Sequence, residues 1–248
     1  MPDPLAGVYR IGGGDAALTR VQALADAFTE KHPGVKFTYD TTLGSDGGVN
    51  LAGQGALDLG MASRELTASE SKTVDGVLIG VIGTGLLVHQ SNTVKDLSTD
   101  QVQAIFSGRL TDWSAVGLER QLPIIPLVRE KGSSARTAFE SSIFGGKPTY
   151  GATVLEIQGG DQIRQLVVGR PGAIGTIGVT GDDPGVAGAH LVSIDGTMPT
   201  KQTLRDGTYK VRRPLYLVYA LASIPKPAVI QFLDFIRSPD GQKIIDRF

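Results

Sequence analysis

Two arginines, a glycine and two serines stand close together in Arg129-Glu130-Lys131-Gly132-Ser133-Ser134-Ala135-Arg136, a set of residue types suited to gripping an oxyanion. A guanidinium presents a planar fork of donors that matches a phosphate-like group, and serine hydroxyls add single donors beside it. The stretch follows an apolar run, Leu122 to Val128, that reads as a buried strand, and it precedes Thr137 to Phe144, which reads as a helix. A first helical turn leaves backbone N–H groups without partners, and the helix dipole adds partial positive charge there. Strand end, donor-rich turn and helix start together suit a tetrahedral oxyanion. The plainer alternative is that Ser133 or Ser134 only caps the helix and Arg129 is a surface charge.

Two further stretches have the same build. Gly7 to Ile11 reads as a strand, Gly12-Gly13-Gly14 follows, and Asp15 stands as a natural N-cap for an amphipathic helix over Ala16 to Lys31, where Leu18, Val21, Leu24, Ala25 and Phe28 recur at helical spacing. His32-Pro33-Gly34 stops that helix and Val35 to Tyr39 reads as a second strand, which is βαβ spacing. The Gly/Ser loop Thr41 to Gly48 leads to a helix expected from Val49 to about Gly53. Ala56 to Ala62 reads as a third strand, ending in Ser63-Arg64. Ligands of open α/β sheets bind at the carboxyl ends of strands, where all three loops lie. A desolvated anion held by backbone N–H groups, hydroxyls and one bidentate arginine needs no covalent chemistry.

The elements that must position these loops are legible along the rest of the chain. Thr67 to Thr73 reads as a short polar helix and Val77 to Val88 as a central buried strand or two. Leu97 to Phe106 reads as a helix with Ser98 or Thr99 as caps, and Asp112-Trp113 opens a turn holding the chain's single Trp. A helix over Gln162 to Arg170 is ended by Pro171-Gly172, Ala173 to Val179 is a Gly-interrupted strand, Asp182-Asp183-Pro184-Gly185 is a turn, and Val192 to Ile194 is a strand. Arg213 to Tyr219 returns as an alternating strand, Lys226 to Phe235 is an amphipathic helix, and Ser238-Pro239 opens a last helix through Ile245.

Other chemistries compete less well. Gly12-Gly13-Gly14-Asp15-Ala16-Ala17 satisfies G-x-G-x-x-A between a strand and a helix, and Asp40 ends the next strand where a ribose-binding acid would sit, so an NAD(P)-dependent oxidoreductase is the alternative reading. Only His32, His89 and His190 occur and no G-x-S-x-G elbow is present, so Ser/His/Asp hydrolysis lacks its parts. No His has a second ligand at helical spacing, which argues against a metal site. No catalytic residue, cofactor or metal ligand is assigned.

The 248 residues suffice for one large domain or two small ones, and a formal net charge of -1 gives no electrostatic footprint for nucleic acid. Cysteine is absent, which removes disulfides and thiolate chemistry. No apolar run is long enough to cross a bilayer, and Met1-Pro2-Asp3-Pro4 shows no leader peptide.

Over nearly the whole chain the sequence resembles the PstS-like phosphate-binding proteins of bacterial ABC importers, a family of type II periplasmic binding proteins. The most specific pieces are Ile105-Phe106-Ser107-Gly108-Arg109-Leu110-Thr111-Asp112-Trp113 and Arg129 through Phe139; Asp58 through Arg64, Gly172-Ala173-Ile174-Gly175 and Ser238-Pro239-Asp240-Gly241-Gln242 support them. The resemblance implies a two-lobed α/β fold, each lobe a mostly parallel sheet flanked by helices, joined by two hinge crossovers. Lobe 1 is expected at 1–88 plus 212–248 and lobe 2 at 89–211. It implies a monomer without enzymatic activity that captures inorganic phosphate in an interlobe cleft by hinge closure. It also implies a membrane permease as partner and a periplasmic or cell-surface location, with the leader absent from the chain as it stands. A sensor or scaffold of the same fold is a further alternative.

Carried over by position, the resemblance makes Arg129 the phosphate arginine and Ser133 its hydroxyl neighbour. Ser134 stands where the family has Gly, and Ala135 where it has Thr, so one hydroxyl is missing. Ser45 matches the serine of the second loop. Ser63, followed by Arg64, falls where some members carry an Asp that accepts the proton of hydrogen phosphate and others have Ser-Arg. Asp15 falls at or beside a position usually held by Thr or Ser; it is either an N-cap or an acceptor for a ligand proton. Backbone amides near Gly14, Ala16, Gly47 and Ser134 complete the expected set.

Overall fold

The structure is a computed structural model that describes residues 4–181, 186–222 and 225–248; the turn expected at Asp182 to Gly185 lies outside the described residues. In chain order the strands are β1 (Gly7–Gly13), β2 (Val35–Asp40), β3 (Leu59–Ala62), β4 (Val74–His89), β5 (Asp96–Leu97), β6 (Ile125–Arg129), β7 (Leu155–Ile157), β8 (Ala173–Val179), β9 (Ala189–Ile194) and β10 (Arg212–Ala220). The helices are α1 (Leu18–Lys31), α2 (Gly44–Gly53), α3 (Thr99–Phe106), α4 (Ser134–Phe144), α5 (Gly160–Gly169), α6 (Lys201–Asp206), α7 (Pro227–Arg237) and α8 (Pro239–Ile245). The chain divides into two compact units, 1–80 with 213–248, and 81–212. The outward crossing falls at Gly80, earlier than the 88 read from sequence. No change of composition marks it, because β4 runs unbroken as one strand through that point.

In the first unit, β1 pairs in parallel with β2 (Val8↔Lys36) and with β3 (Ile11↔Leu59), while β10 runs antiparallel to β3 (Leu217↔Met61). The sheet is therefore mixed, its antiparallel strand supplied by the returning chain. Alternation in β1 buries Tyr9 and Ile11 and exposes Val8 and Arg10. The amphipathic pattern of α1 buries Val21, Leu24, Ala25 and Phe28. Phe28 meets Phe232 and Phe235 of α7, with ring centroids 5.3 and 5.9 Å apart, so two helices distant in sequence share one aromatic core.

In the second unit, β8 lies antiparallel to β4 (Leu86↔Thr176) and parallel to β6 (Leu127↔Gly175), and β7 adds in parallel to β6 (Arg129↔Ile157). Both faces of this sheet are covered. One cluster holds Phe106, Trp113, Phe139 and Ile174, the other Leu127, Ile163, Val167 and Ile177. Trp113 is fully buried and its indole N–H donates to Gly172 O at 2.9 Å. Asp112 Oδ1 accepts from Ser114 N and Leu122 N, closing the turn beneath the Trp. These two stretches, quoted above for their resemblance, serve the core and the turn rather than a ligand.

Several expected boundaries move. α3 begins at Thr99, because Leu97 belongs to β5 and Ser98 forms a capping box with Gln101. The polar stretch Thr67 to Thr73 contains only the 3₁₀ turn Glu70–Lys72. β5, β7 and α6 are short elements that periodicity did not signal.

Candidate anion-binding site

The first unit brings Gly14, Ser45 and Ser63 together. Gly14 follows β1, Ser45 lies in the first turn of α2 and Ser63 directly follows β3. Ser63 N donates to Ser45 Oγ at 3.0 Å and the two hydroxyl oxygens are 3.2 Å apart. A β-carbon on Gly14 would come within 2.9 Å of Ser45 Oγ. All three residues are buried, so the hydroxyls are desolvated and preorganised by one another.

This cluster depends on α2 starting at Gly44 rather than at Val49, the expected start. Glycines read as loop formers are here helical, and the reason is close approach. A β-carbon on Gly48 would sit 2.7 Å from Gly12 O and 2.9 Å from Met61 O, so only glycine lets α2 lie against the strand ends. The displaced helix start puts Ser45, Asp46 and Gly47 in the turn whose amides lack intrahelical partners.

Asp15 is not the N-cap of α1. It opens the 3₁₀ turn Asp15–Ala17, which Gly14 precedes with extended backbone; α1 then starts at Leu18 without any side-chain cap. Asp15 is exposed and its carboxylate makes no hydrogen bond among the described residues, while Ala16 sits half-buried in the same turn. Arg64 has other partners. Its Nε and Nη2 donate to Asp46 Oδ1 at 3.0 and 2.5 Å, Nη1 and Nη2 to Glu70 at 2.9 and 2.8 Å, and Nη1 also to Glu65 O at 2.9 Å. Every guanidinium nitrogen is occupied, so Arg64 acts here as a brace between the end of β3 and the start of α2. The hydrogen bonds from Arg64 hold the Glu70 carboxyl down at about 2, and those to Glu70, outweighing burial, raise Arg64 above its usual range.

The G-x-G-x-x-A stretch does not make a dinucleotide cradle. Gly13 has φ 143° and a β-carbon there would meet Met61 O at 2.1 Å, so this glycine serves strand packing. Asp40 turns back on its own chain, accepting from Thr42 N at 2.9 Å and Thr42 Oγ1 at 2.7 Å, which lowers its pKa.

In the second unit Arg129 is the last residue of β6 and Ser134 the first of α4. Ser133 occupies the N-cap position with extended backbone, yet its hydroxyl makes no capping bond. Half-buried Ser133 and Ser134 and buried Ala135 thus line the first turn, with the Ala135 methyl adding no donor. Arg129 Nε and Nη2 donate to Glu130 at 2.8 and 2.7 Å, and Gly159 N also donates to Glu130 Oε2 at 3.0 Å. The Arg129 guanidinium is the main cause holding Glu130 down at about 2. Buried Thr84 of β4 donates to Ala135 O at 3.1 Å and fixes the same turn from below. Sequence reasoning gave no role to Thr84, Glu70 or Asp46: Asp46 and Thr84 find partners 18 and 51 residues along the chain, and Glu70 reaches Arg64 across an irregular stretch that has no period.

Donors gathered at the carboxyl ends of strands, where helices begin, are the construction of an α/β solute-binding protein. The chain matches the PBP superfamily domain over residues 3–240 and belongs to that superfamily. It is 27% identical over 97% of its length to the phosphate-binding protein PstS of Bacillus subtilis, covering 78% of that protein. Among solved structures it superposes with TM-score 0.83 and 31% identity on a phosphate ABC transporter substrate-binding protein of Clostridium perfringens with bound phosphate, covering 97% of each chain. An ABC-type phosphate transport receptor from Vibrio cholerae gives TM-score 0.80 and 25% identity, over 96% of this chain and 97% of that one. Among the described residues no helix is long and apolar enough to cross a membrane.

Proposed function

We propose that the protein captures inorganic phosphate and delivers it to a membrane permease of an ABC importer, acting by binding rather than turnover. The reading rests above all on the buried Ser45–Ser63 hydroxyl pair beside the amides that open α2, a donor set made for an oxyanion. The phosphate carried by the Clostridium perfringens relative supports phosphate as that oxyanion. Arg129 would clamp the anion bidentately, Ser45, Ser63 and Ser133 would donate hydroxyl protons, and amides near Gly14, Ala16, Gly47, Ser134 and Ala135 would complete the cage. Arg64 would hold the α2 amides in place without touching the ligand, since its donors are taken. The two units would act as lobes that close on the anion and exclude water, with the chain working as a monomer in the periplasm or at the cell surface.

Asp15 would set selectivity. A carboxylate repels a fully ionised oxyanion but accepts a proton from hydrogen phosphate, so the site would prefer phosphate to sulfate. With its capping role removed by the structure, Asp15 is left as an unbonded carboxylate beside Gly14. The test is a thermal-shift and titration series with phosphate, arsenate, sulfate, molybdate and NAD. Phosphate at a hundred times its Kd should stabilise the protein by about 2.7 kcal/mol, and sulfate and NAD should not. Asp15→Asn should narrow the phosphate/sulfate ratio; an unchanged ratio removes that role.

A further inference from the structure

Arg136 is a buried cation with no place in the site described so far, and one of its contacts is the backbone carbonyl of Arg129. It lies in the first turn of α4, with only 9% of its side chain exposed. Its Nη1 donates to the backbone carbonyl of Arg129 at 3.0 Å and to Glu156 Oε2 of β7 at 2.6 Å. Its Nε donates to Glu140 Oε1 at 2.6 Å, one turn further along α4. The guanidinium carbon sits 5.2 Å from the centre of the Tyr150 ring, whose hydroxyl also donates to Glu140 Oε1 at 3.1 Å. Glu156 Oε1 in turn accepts from Lys131 N at 3.3 Å.

The bond to Arg129 O answers a gap in the sheet. Pairing of β6 with β8 ends at Leu127, so the Arg129 carbonyl lies past the end of that ladder. An unpaired buried carbonyl is costly and leaves the peptide free to turn. Arg136 donates to that carbonyl, and through Glu156 it also ties down the Lys131 amide. Two carboxylates against one guanidinium keep Arg136 charged: burial opposes the charge, but the bonds it donates to Glu140 and Glu156 outweigh it.

We infer that Arg136 is a positioning residue for anion binding: by holding the Arg129 carbonyl and the turn after it, it aims the Arg129 side chain, while never touching the ligand itself. The inference rests on the phosphate-capture reading and adds to it the residue that sets the clamp's direction. A lysine in its place keeps the charge but not the fork, and one ammonium cannot serve a carbonyl and two carboxylates in these directions at once.

The experiment is a calorimetric titration of the full chain with inorganic phosphate, for wild type, Arg129→Lys, Arg136→Lys and the double variant, with the melting temperature of each ligand-free protein measured alongside. Arg136→Lys should weaken phosphate binding at least about tenfold, and in the Arg129→Lys background it should cost much less, since it acts through Arg129. Glu156→Gln, at a half-exposed position and so safe for folding, should weaken binding in the same direction by about threefold. Phosphate affinity unchanged in Arg136→Lys, or an equal loss in both backgrounds, overturns the inference while leaving phosphate capture standing. Failure of the wild-type protein to take up phosphate overturns both.

Discussion

The donor ends of the two units are built on opposite plans. In the first, the cation beside the site is fully committed: Arg64 gives its guanidinium to Asp46, Glu70 and Glu65 O, and the donors left at the strand ends are hydroxyls and amides. In the second, the cation itself ends the strand. Arg129 donates to Glu130, and a second arginine, Arg136, holds its backbone from behind. One unit thus offers dipoles and close packing, the other offers charge. The difference teaches that an arginine next to a site serine is not by itself a ligand group. At Arg64 the fork is already full, with every guanidinium nitrogen donating within its own unit.

That contrast gives graded expectations. Arg129→Ala should do the most damage, about 3 kcal/mol or a loss of two orders of magnitude in phosphate affinity by calorimetry, because it deletes the clamp and leaves the Glu130 carboxylate without its cation. Gly48→Ala strikes the first unit through packing. Its β-carbon would meet Gly12 O and Met61 O well inside contact distance, so denaturant unfolding should show a loss of about 2 kcal/mol. Ser45→Ala removes one neutral donor and should weaken phosphate binding by about 1 kcal/mol, several-fold in Kd, with a loss of about 1 kcal/mol in stability because the buried Ser63 N–H loses its acceptor. Were Ser45→Ala to cost as much as Arg129→Ala, the division of labour between the units would be wrong.

The brace at Arg64 has a pH signature. Glu70 titrates at about 2 in the folded protein, below the ordinary glutamate value, so the stability it contributes is complete above about pH 4.5 and is lost as pH falls towards 2. Glu70→Gln should flatten that part of the acid-unfolding curve by about 1 kcal/mol, read as a smaller drop in denaturation midpoint between pH 5 and 3. The smallest effect belongs to Glu130→Gln, whose pair with Arg129 is partly open to solvent and screened: phosphate affinity should move less than about threefold.

Much of this was legible in the residues because it depends on local pattern. The strand Ala173–Val179 carries its own apolar run and glycine spacing, and α1 its own period, so both stand where the sequence puts them. The order strand, turn, helix around Arg129 was readable for the same reason, but β6 spans Ile125–Arg129 and α4 begins at Ser134 rather than at Thr137, taking Ser134 to Arg136 out of the turn. Where tertiary contact decides, sequence fell short. Glycines at 44, 47 and 48 read as loop until Gly48 is seen packed on Gly12 and Met61, which makes the stretch the first turns of α2. Asp15 has the right side chain for a cap, but a 3₁₀ turn intervenes before α1 and Gly14 takes the preceding place. Arg64, which stands beside Ser63 at a donor-rich strand end, is bound by Asp46 and Glu70, and nothing in its local sequence shows them closing on it. The passage at Gly80 left no trace because β4 continues through it with unchanged composition.

The account stands or falls on the anion. Titration of the wild-type protein with inorganic phosphate, set against sulfate and against Arg129→Ala, tests it most directly. The expected result is saturable one-to-one phosphate binding, far weaker sulfate binding, and loss of two orders of magnitude in phosphate affinity in the variant. Absence of phosphate binding by the wild type, or equal phosphate affinity in wild type and Arg129→Ala, would contradict it.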